Sequence, residues 1–497
     1  MDELSVGAKR LLIRAEELRN SFQPIQRLPP DMIVEVATYL DPRACGGDYQ
    51  PLMAMSQVCC YWRETLLSNP ESWCFVESEF LELVPLFLGR SGLYPLEVNL
   101  TNTRFSYAVG QIIPHAKRLA ILRCDIDKAT TSFLRTLSRL DHSPNLHTLS
   151  IASARAPAMA LELIEMGFIS GDMPTLRTLE LLPFPIIPQF RQFKHLVNLR
   201  LEVTHSTLAA VLDLLMANPL LEKVGLVGSF EDEDVPTAES TVLGRLKFLS
   251  VERCASRRLL EKLTLPRGAR VLIGYNPIFI LPPFTLQHSM EKYANLRGLE
   301  SLYALVAGET YVDATGPNGS IAIRFTESSR DPFSLCDAIA PLPTAGITRL
   351  VYEIHLASDP EQMDEVTRMM DILPHLEEIE LIHFGEEGTQ EFLSVIRTTS
   401  RWVRLRRLKF VHCRRVTDWI ADLIWVALAR KGDGLILDTV TIVYERERLP
   451  GMFERLERAV ETLEVVEESV AEMARGELVW DAASYTARID SVPVKWN

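Results

Sequence analysis

What this chain lacks narrows it first. Its eight cysteines stand at 45, 59, 60, 74, 124, 254, 336 and 413, with no CxxC and no zinc-ligand spacing to a histidine. That excludes a disulfide-stapled scaffold and a cysteine–histidine zinc module. There is no run of about 20 uninterrupted apolar residues, the length a helix needs to cross a bilayer, so no membrane partner is expected. Met1-Asp2-Glu3-Leu4 opens acidic, without the basic and apolar regions of a signal peptide. A reducing compartment, cytoplasmic and/or nuclear, is therefore expected, with free thiols acting as small core residues. Excess positive charge is missing too. The chain carries 52 Lys and Arg against 66 Asp and Glu, a net charge of -14, which argues against a nucleic-acid partner. Catalytic signatures are absent: no phosphate-cradling GxxxxGK, no GxGxxG after a strand, no HExxH and no GxSxG. No enzymatic activity, metal or cofactor is expected.

What is present is a 497-residue chain, 47% hydrophobic and 24% charged, long enough for a large core and more than one domain. The segment from Pro24 to Trp73 carries most information. Leu28-Pro29-Pro30-Asp31 suits a helix start, since proline is tolerated in the first turn and an acidic residue complements the helix dipole. Ile33, Val36, Ala37 and Leu40 then recur at helical spacing, and Asp41-Pro42 stops the helix. A second helix bears Leu52, Met55, Val58, Cys59 and Trp62, and a short third one after Asn69-Pro70 brings Trp73 back against the others. A generic three-helix packing unit accounts for the periodicity alone. The order Leu-Pro, Ile-x-x-Val, Leu, Val-Cys-x-x-Trp-Arg, Trp within this span resembles an F-box, the helical module that docks a Skp-family adaptor of cullin-based ubiquitin ligases. The resemblance implies an adaptor-facing surface of Leu28, Pro29, Ile33, Val36, Leu52, Val58, Cys59 and Trp62. The loop 43–50 is longer than the family usually has. It either disturbs that surface or bulges into solvent, where extra length costs little. Residues 1–23 read as a helical lead-in, packed on the module or forming a short coiled-coil arm.

Beyond Phe80 a nine-residue pattern returns, apolar-x-x-apolar-x-apolar-x-x-small. It begins at Ala116, Leu146, Leu176, Leu196, Leu221 and Leu246, and again at Ile347, Leu376 and Leu405. The spacings are 30, 30, 20, 25 and 25 residues, then 29 and 29 after a gap, which bracket the leucine-rich repeat range. The two alternating apolar residues predict a short strand with one face inward. Between the strands, helices are expected at 131–140, 158–168, 207–217, 362–373, 390–397 and 417–429. Prolines at 144, 174, 219 and 374 end the preceding helices. One strand and one helix per repeat stack into a solenoid with a parallel sheet. The pattern resembles the divergent leucine-rich repeats found behind F-boxes. An ordinary doubly wound α/β domain is the alternative, without a Gly-rich turn to support it. Residues 255–345 break the rhythm: 270–275 reads as a strand, and 311–315 and 320–325 flank Pro317-Asn318-Gly319 as a hairpin, projecting or inserted. At the end, Phe453, Leu456, Val460, Leu463, Val466, Val470 and Met473 line one face of a capping helix over 451–475, or of a coiled-coil strand.

The expected fold is thus α plus α/β: lead-in 1–23, F-box 24–80, a leucine-rich-repeat-like solenoid (horseshoe) over 81–449, and a capping helix and tail over 450–497. Outward strand positions align as Arg118, Thr148, Thr178, Asn198, Lys223, Phe248, Arg349, Glu378, Arg407 and as Ala120, Ser150, Glu180, Arg200, Gly225, Ser250, Val351, Glu380, Lys409. Arg349, Glu378, Arg407 and Lys409 are the candidate substrate-binding residues, although lateral charge pairing explains them equally. The basic run through Arg401, Arg404, Arg406, Arg407, Lys409, Arg414 and Arg415 either receives an acidic or phosphorylated peptide or is neutralised by Glu377, Glu378 and Glu380. His383 and His412 fall at equivalent repeat positions and are expected side by side, as a surface stack rather than a metal site. The reading is a non-enzymatic substrate receptor: a Skp-family adaptor, and through it a cullin, at one end and an unknown protein substrate at the other. A scaffold without ubiquitin transfer is the alternative.

Overall fold

The structure, a computed structural model, describes residues 2–43, 48–100, 105–125, 143–152, 173–184, 188–231, 241–252, 259–260, 262–275, 298–306, 309–326, 336, 339, 342–354, 362–398, 402–413, 415–445 and 453–468. The chain divides into two compact units, Met1–Ser206 and Thr207–Asn497.

The first unit opens with helix α1 (Asp2–Ser21). The module follows: α2 (Pro30–Tyr39), α3 (Gln50–Gln57), α4 (Cys60–Leu67) and a 3-10 turn, Pro70–Trp73. Each start has a local cause. Proline stands in the first turn of α2 and of α3. At α4 the Cys59 sulfur accepts from the backbone N–H of Trp62 at 3.4 Å. Ile33, Ala37, Leu52, Met55, Trp62, Leu66 and Trp73 close the core between the helices. Full burial of side chains of this size contributes about 1.5–3 kcal/mol each. The Trp73 indole N–H donates to the Leu66 carbonyl at 2.8 Å, and the Arg90 guanidinium lies over its ring at 4.2 Å.

This module does not end where the sheet begins. Strand β1 (Phe75–Glu77) already pairs in parallel with β2 (Leu96–Leu100), inside the expected 24–80 span. Tyr49 anchors the described end of the long loop. Its ring meets Phe87 and Phe80 edge-on at 4.6 and 5.1 Å, and its hydroxyl accepts from the Glu77 N–H at 2.6 Å. Burial drives its phenol pKa well above the ordinary value. Arg43 joins Asp41 at 2.6 Å and Glu97 at 3.5 Å, and Glu97 also pairs with Arg123.

The sheet of the first unit continues through β3 (Leu119–Asp125), β4 (Thr148–Ala152), β5 (Thr178–Phe184) and β6 (Asn198–Thr207), each parallel to its predecessor. Helices α5 (Val84–Arg90) and α6 (Phe105–Ile112) fall between the first three strands. The leucine that opens a repeat closes a tight turn: Leu146 N–H donates to Ser143 and Leu176 N–H to Met173, both at 3.1 Å. Pro144 and Pro174 occupy the second turn position, where their fixed φ fits. The helices expected at 131–140 and 158–168 lie outside the described residues.

The first repeat is read three residues off by the pattern. Registers Leu96↔Leu119 and Glu97↔Ile121 bracket a bulge, and Leu119 and Ala120 are both buried in succession. Leu122 and Cys124 therefore point inward, and Ile121 and Arg123 take the outward places expected of Arg118 and Ala120. Arg118 instead donates to the Tyr94 carbonyl at 2.9 Å and the Ser91 hydroxyl at 2.7 Å.

The second unit begins with α7 (Leu208–Ala217), N-capped by the Thr207 hydroxyl accepting from the Ala210 N–H at 3.3 Å. Its strands are β7 (Lys223–Glu231), β8 (Thr241–Val242), β9 (Phe248–Glu252), β10 (Leu263–Thr264), β11 (Arg270–Tyr275), β12 (Ser301–Val306), β13 (Glu309–Gly316), β14 (Gly319–Thr326), β15 (Arg349–Ile354), β16 (Glu378–Ile382), β17 (Arg407–Val411), β18 (Thr439–Glu445) and β19 (Thr462–Glu468). β8 and β10 form a separate parallel pair. β7, β9 and β11 pair in parallel in that order, and so do β12 and then β15 through β19. Between these runs β14 pairs parallel with β11, while β13 runs antiparallel to both β14 and β12. The hairpin signal is thus real, and the hairpin is inserted into the sheet rather than projecting. Gly316 and Gly319 face one another across Pro317-Asn318. A Cβ on Gly316 would sit 2.2 Å from the Gly298 carbonyl oxygen, so that position requires glycine.

Helices α8 (Gln362–Ile372), α9 (Glu386–Thr398) and α10 (Val416–Gly432) stand where the repeat spacing places them. Outside the inserted β14-β13-β12 stretch the strands lie beside their neighbours in chain order, which is the arrangement of an α/β solenoid and not of a doubly wound sheet that builds outward in both directions from its first strand.

The expected capping helix over 451–475 is overturned. Among the described residues of that span only α11 (Phe453–Glu457) is helical, and β19 then extends the sheet beyond residue 449, parallel to β18. Thr462, Val465 and Val466 are β-branched, and strand pairing wins over a short helix whose apolar face has little to cover. Leu456 and Val460 are buried as expected, whereas Val466 is 44% exposed. Val470 and Met473 lie outside the described residues.

Candidate functional site

Two exposed faces draw attention. The first is on the helical module. Helix α2 turns Ile33 and Ala37 into the core and leaves Met32, Val36 and Tyr39 outside, at 48, 39 and 72% exposure. Spacings of four and three residues put these on one side. Pro29 is also exposed, and Leu28 is half-buried. The Tyr61 hydroxyl donates to the Leu28 carbonyl at 2.8 Å, holding the start of α4 against the start of α2. Beside that start lie exposed Val58, half-buried Cys59 and exposed Cys60.

Of the eight residues that the resemblance turned toward an adaptor, three are corrected. Ile33, Leu52 and Trp62 are buried within the chain at 0, 0 and 7% exposure and belong to the module's own core. Leu28, Pro29, Val36, Val58 and Cys59 remain wholly or partly accessible. Met32 and Tyr39 escaped the sequence reading. They fall on α2 one step outside the Ile33–Val36–Leu40 pattern, and the helical wheel alone could have found them.

The second face is the outward side of the sheet in the second unit. Register places Arg349, Glu378 and Arg407 side by side, and Val351, Glu380 and Lys409 likewise. Their charges interlock. Arg349 reaches Glu378 and Glu380 at 3.0 Å each, Arg407 reaches Glu378 at 2.9 Å, and Lys409 reaches Glu380 at 2.9 Å. Glu380 is nearly buried, while Arg349, Arg407 and Lys409 keep about half or less of their side chains in water. Across the hairpin the lattice goes on: Arg270 meets Asp313 at 3.1 Å, and the Tyr303 hydroxyl donates to buried Glu353 at 2.6 Å. At its far side the Thr441 hydroxyl donates to Glu464 at 3.0 Å. Phe248 and Ser250, though in outward rows, are buried.

Among the described residues the basic run offers no cluster of unpaired guanidinium groups to an anion. Arg406 pairs with Asp438 at 3.6 Å and Arg415 with Glu386 at 2.9 Å, in addition to the Arg407 and Lys409 pairs. Arg401 and Arg414 lie outside the described residues. His383 and His412 do stack, with ring centres 5.5 Å apart and planes 19° from parallel, each at a left-handed residue just after a strand. Among the described residues no group of three His, Cys, Asp or Glu is placed to hold a metal, and no helix is long and apolar enough to cross a membrane. Cys413, next to His412 in sequence, is buried, and desolvation pushes its thiol up to about 12, which disfavours the thiolate a nucleophile needs.

A short helical module followed by parallel strands that, outside the inserted hairpin, stack in chain order defines an α/β solenoid-type chain. No family model matches it, and no curated protein matches it. Among solved structures, an internalin from Listeria monocytogenes is similar over 74% of this chain and 91% of its own, at 9% identity and a TM-score of 0.21. So faint a likeness bears no weight beside the strand pairings themselves.

Proposed function

We propose that this chain is a non-enzymatic substrate receptor of a cullin-based ubiquitin ligase. The helical module is its F-box and docks a Skp-family adaptor, and the sheet, built of divergent leucine-rich repeats, carries the target protein. The observation that carries the reading is the row Met32, Val36 and Tyr39, open to solvent on a helix whose opposite side is sealed. A module this small rarely leaves such a row uncovered unless another protein covers it. The order of residues from Leu28-Pro29 to Trp73 supports the choice of adaptor. The target would meet the outward face around Arg349, Glu378, Arg407 and Lys409. The mechanism is proximity: a bound target lysine is held at high effective concentration near the activated ubiquitin, and this chain supplies no reacting group.

Co-purification from cells tests the reading. The wild-type chain is expected to bring down adaptor and cullin together, and Val36→Asp with Val58→Asp to lose both. These exposed positions are better probes than Trp62→Ala, which would cost about 3–5 kcal/mol and empty the core. Adaptor without cullin would make the chain a scaffold outside ubiquitin transfer. Neither partner would sink the proposal.

A further inference from the structure

Helix α1 carries a second apolar stripe that the docking of an adaptor on α2 does not use. Ala8, Leu11, Ala15 and Leu18 follow at spacings of three, four and three, and Phe22 comes four residues later. Those are the a and d positions of a heptad repeat, with Ala8 and Ala15 at a within the helix, Phe22 at the next a just past its end, and Leu11 and Leu18 at d. Every described side chain on this helix is exposed, and Leu11, Leu12, Leu18 and Phe22 are 64–72% exposed. At 20 residues the helix is about 30 Å long. A helix of this length that covers no core is only marginally stable in water, so its apolar stripe has most to gain from a second helix.

The flanks say which helix. Arg14 stands at a g position and Arg19 at an e position, both exposed. In a parallel pair of two copies, Arg14 of one faces Arg19 of the other, and in an antiparallel pair Arg14 faces Arg14. Like charges disfavour both arrangements. A membrane surface is disfavoured as well, because the helix holds four basic and four acidic residues and lacks a cationic face. The small residues Ala8 and Ala15 leave room for large ones opposite. We infer that α1 is a coiled-coil arm for a different protein, one whose helix presents large aliphatic residues at a and d and glutamate or aspartate at e and g.

The test uses the full chain and two synthetic peptides of about three heptads. Both carry leucine at a and d, one with glutamate and the other with lysine at e and g. Binding is read by fluorescence anisotropy. The glutamate peptide is expected to bind, and Arg14→Glu with Arg19→Glu to weaken it about threefold to tenfold while admitting the lysine peptide. Leu11→Asp with Leu18→Asp should abolish binding of either. All four positions are exposed, so the thermal transition of each variant should match the wild type. The inference is overturned if neither peptide binds, or if both bind alike. It is equally overturned if the chain self-associates through α1 in sedimentation runs, or if α1 binds anionic vesicles in preference to the glutamate peptide.

Discussion

The sheets of the two units are alike in their inward rows and differ in their outward ones. Inward, Leu149, Leu179 and Leu199 in the first unit match Leu350, Ile379, Leu408 and Val440 in the second, all buried. Outward, the first unit sets Thr148, Thr178 and Asn198 in one row and hydrogen-bonds Ser150 to Glu180 at 2.8 Å. The second unit fills the same positions with Arg349, Glu378, Arg407, Glu380 and Lys409. Burial fixes the inner rows, because any polar group there would lose its water without a replacement. The outer rows need only satisfy their lateral neighbours, and that leaves them open to specialise.

Substitutions can break this comparison. The largest effect is expected on the inner rows. Leu179→Ala and Leu408→Ala should each cost about 2–5 kcal/mol of stability, whichever unit they fall in, as read from urea unfolding. A cost below that of the outward Thr148→Ala, expected within about 1 kcal/mol, would mean that the inner row of that unit is not its core. Next comes Glu380→Ala. It leaves Arg349 and Lys409 facing each other without their shared carboxylate. Because both cations are partly solvated, the loss should be only about 1–2 kcal/mol, and it should shrink in high salt. The neutral counterpart Ser150→Ala should cost less and show no salt dependence. An equal salt response at both sites would erase the distinction between the two faces.

The smallest effect is chemical. Under native conditions an alkylating reagent should modify Cys60 rapidly, Cys59 more slowly, and Cys74, Cys124 and Cys413 only on unfolding, as read by mass spectrometry. Burial raises the pKa of all three protected thiols. Rapid labelling of Cys413 would place it outside the core.

Legibility in the sequence follows the same division. Where an inward leucine row repeats cleanly, as from Leu146 to Leu201 and from Ile347 to Phe410, the strands stand where the pattern puts them. The pattern also runs, unnoticed, through Leu299-x-x-Leu302-x-Ala304, Leu437-x-x-Val440-x-Ile442 and Val460-x-x-Leu463-x-Val465, which begin β12, β18 and β19. The last was obscured because the same residues also fit a helical period. The slip at β3 had no local signal, since a bulge depends on the partner strand. On the module, helix spacing marked the apolar residues but not which of them the chain keeps for itself. Trp62 and Val58 look alike in sequence, and only packing sends one inside and leaves the other out.

The central claim is that the module binds an adaptor through side chains its own core does not need. Calorimetric titration of the full chain with a purified Skp-family adaptor tests it most directly. The account predicts one-to-one binding by the wild type, and none by Val36→Asp with Val58→Asp at an unchanged unfolding transition. Equal binding by both chains, or no heat from either, would contradict it.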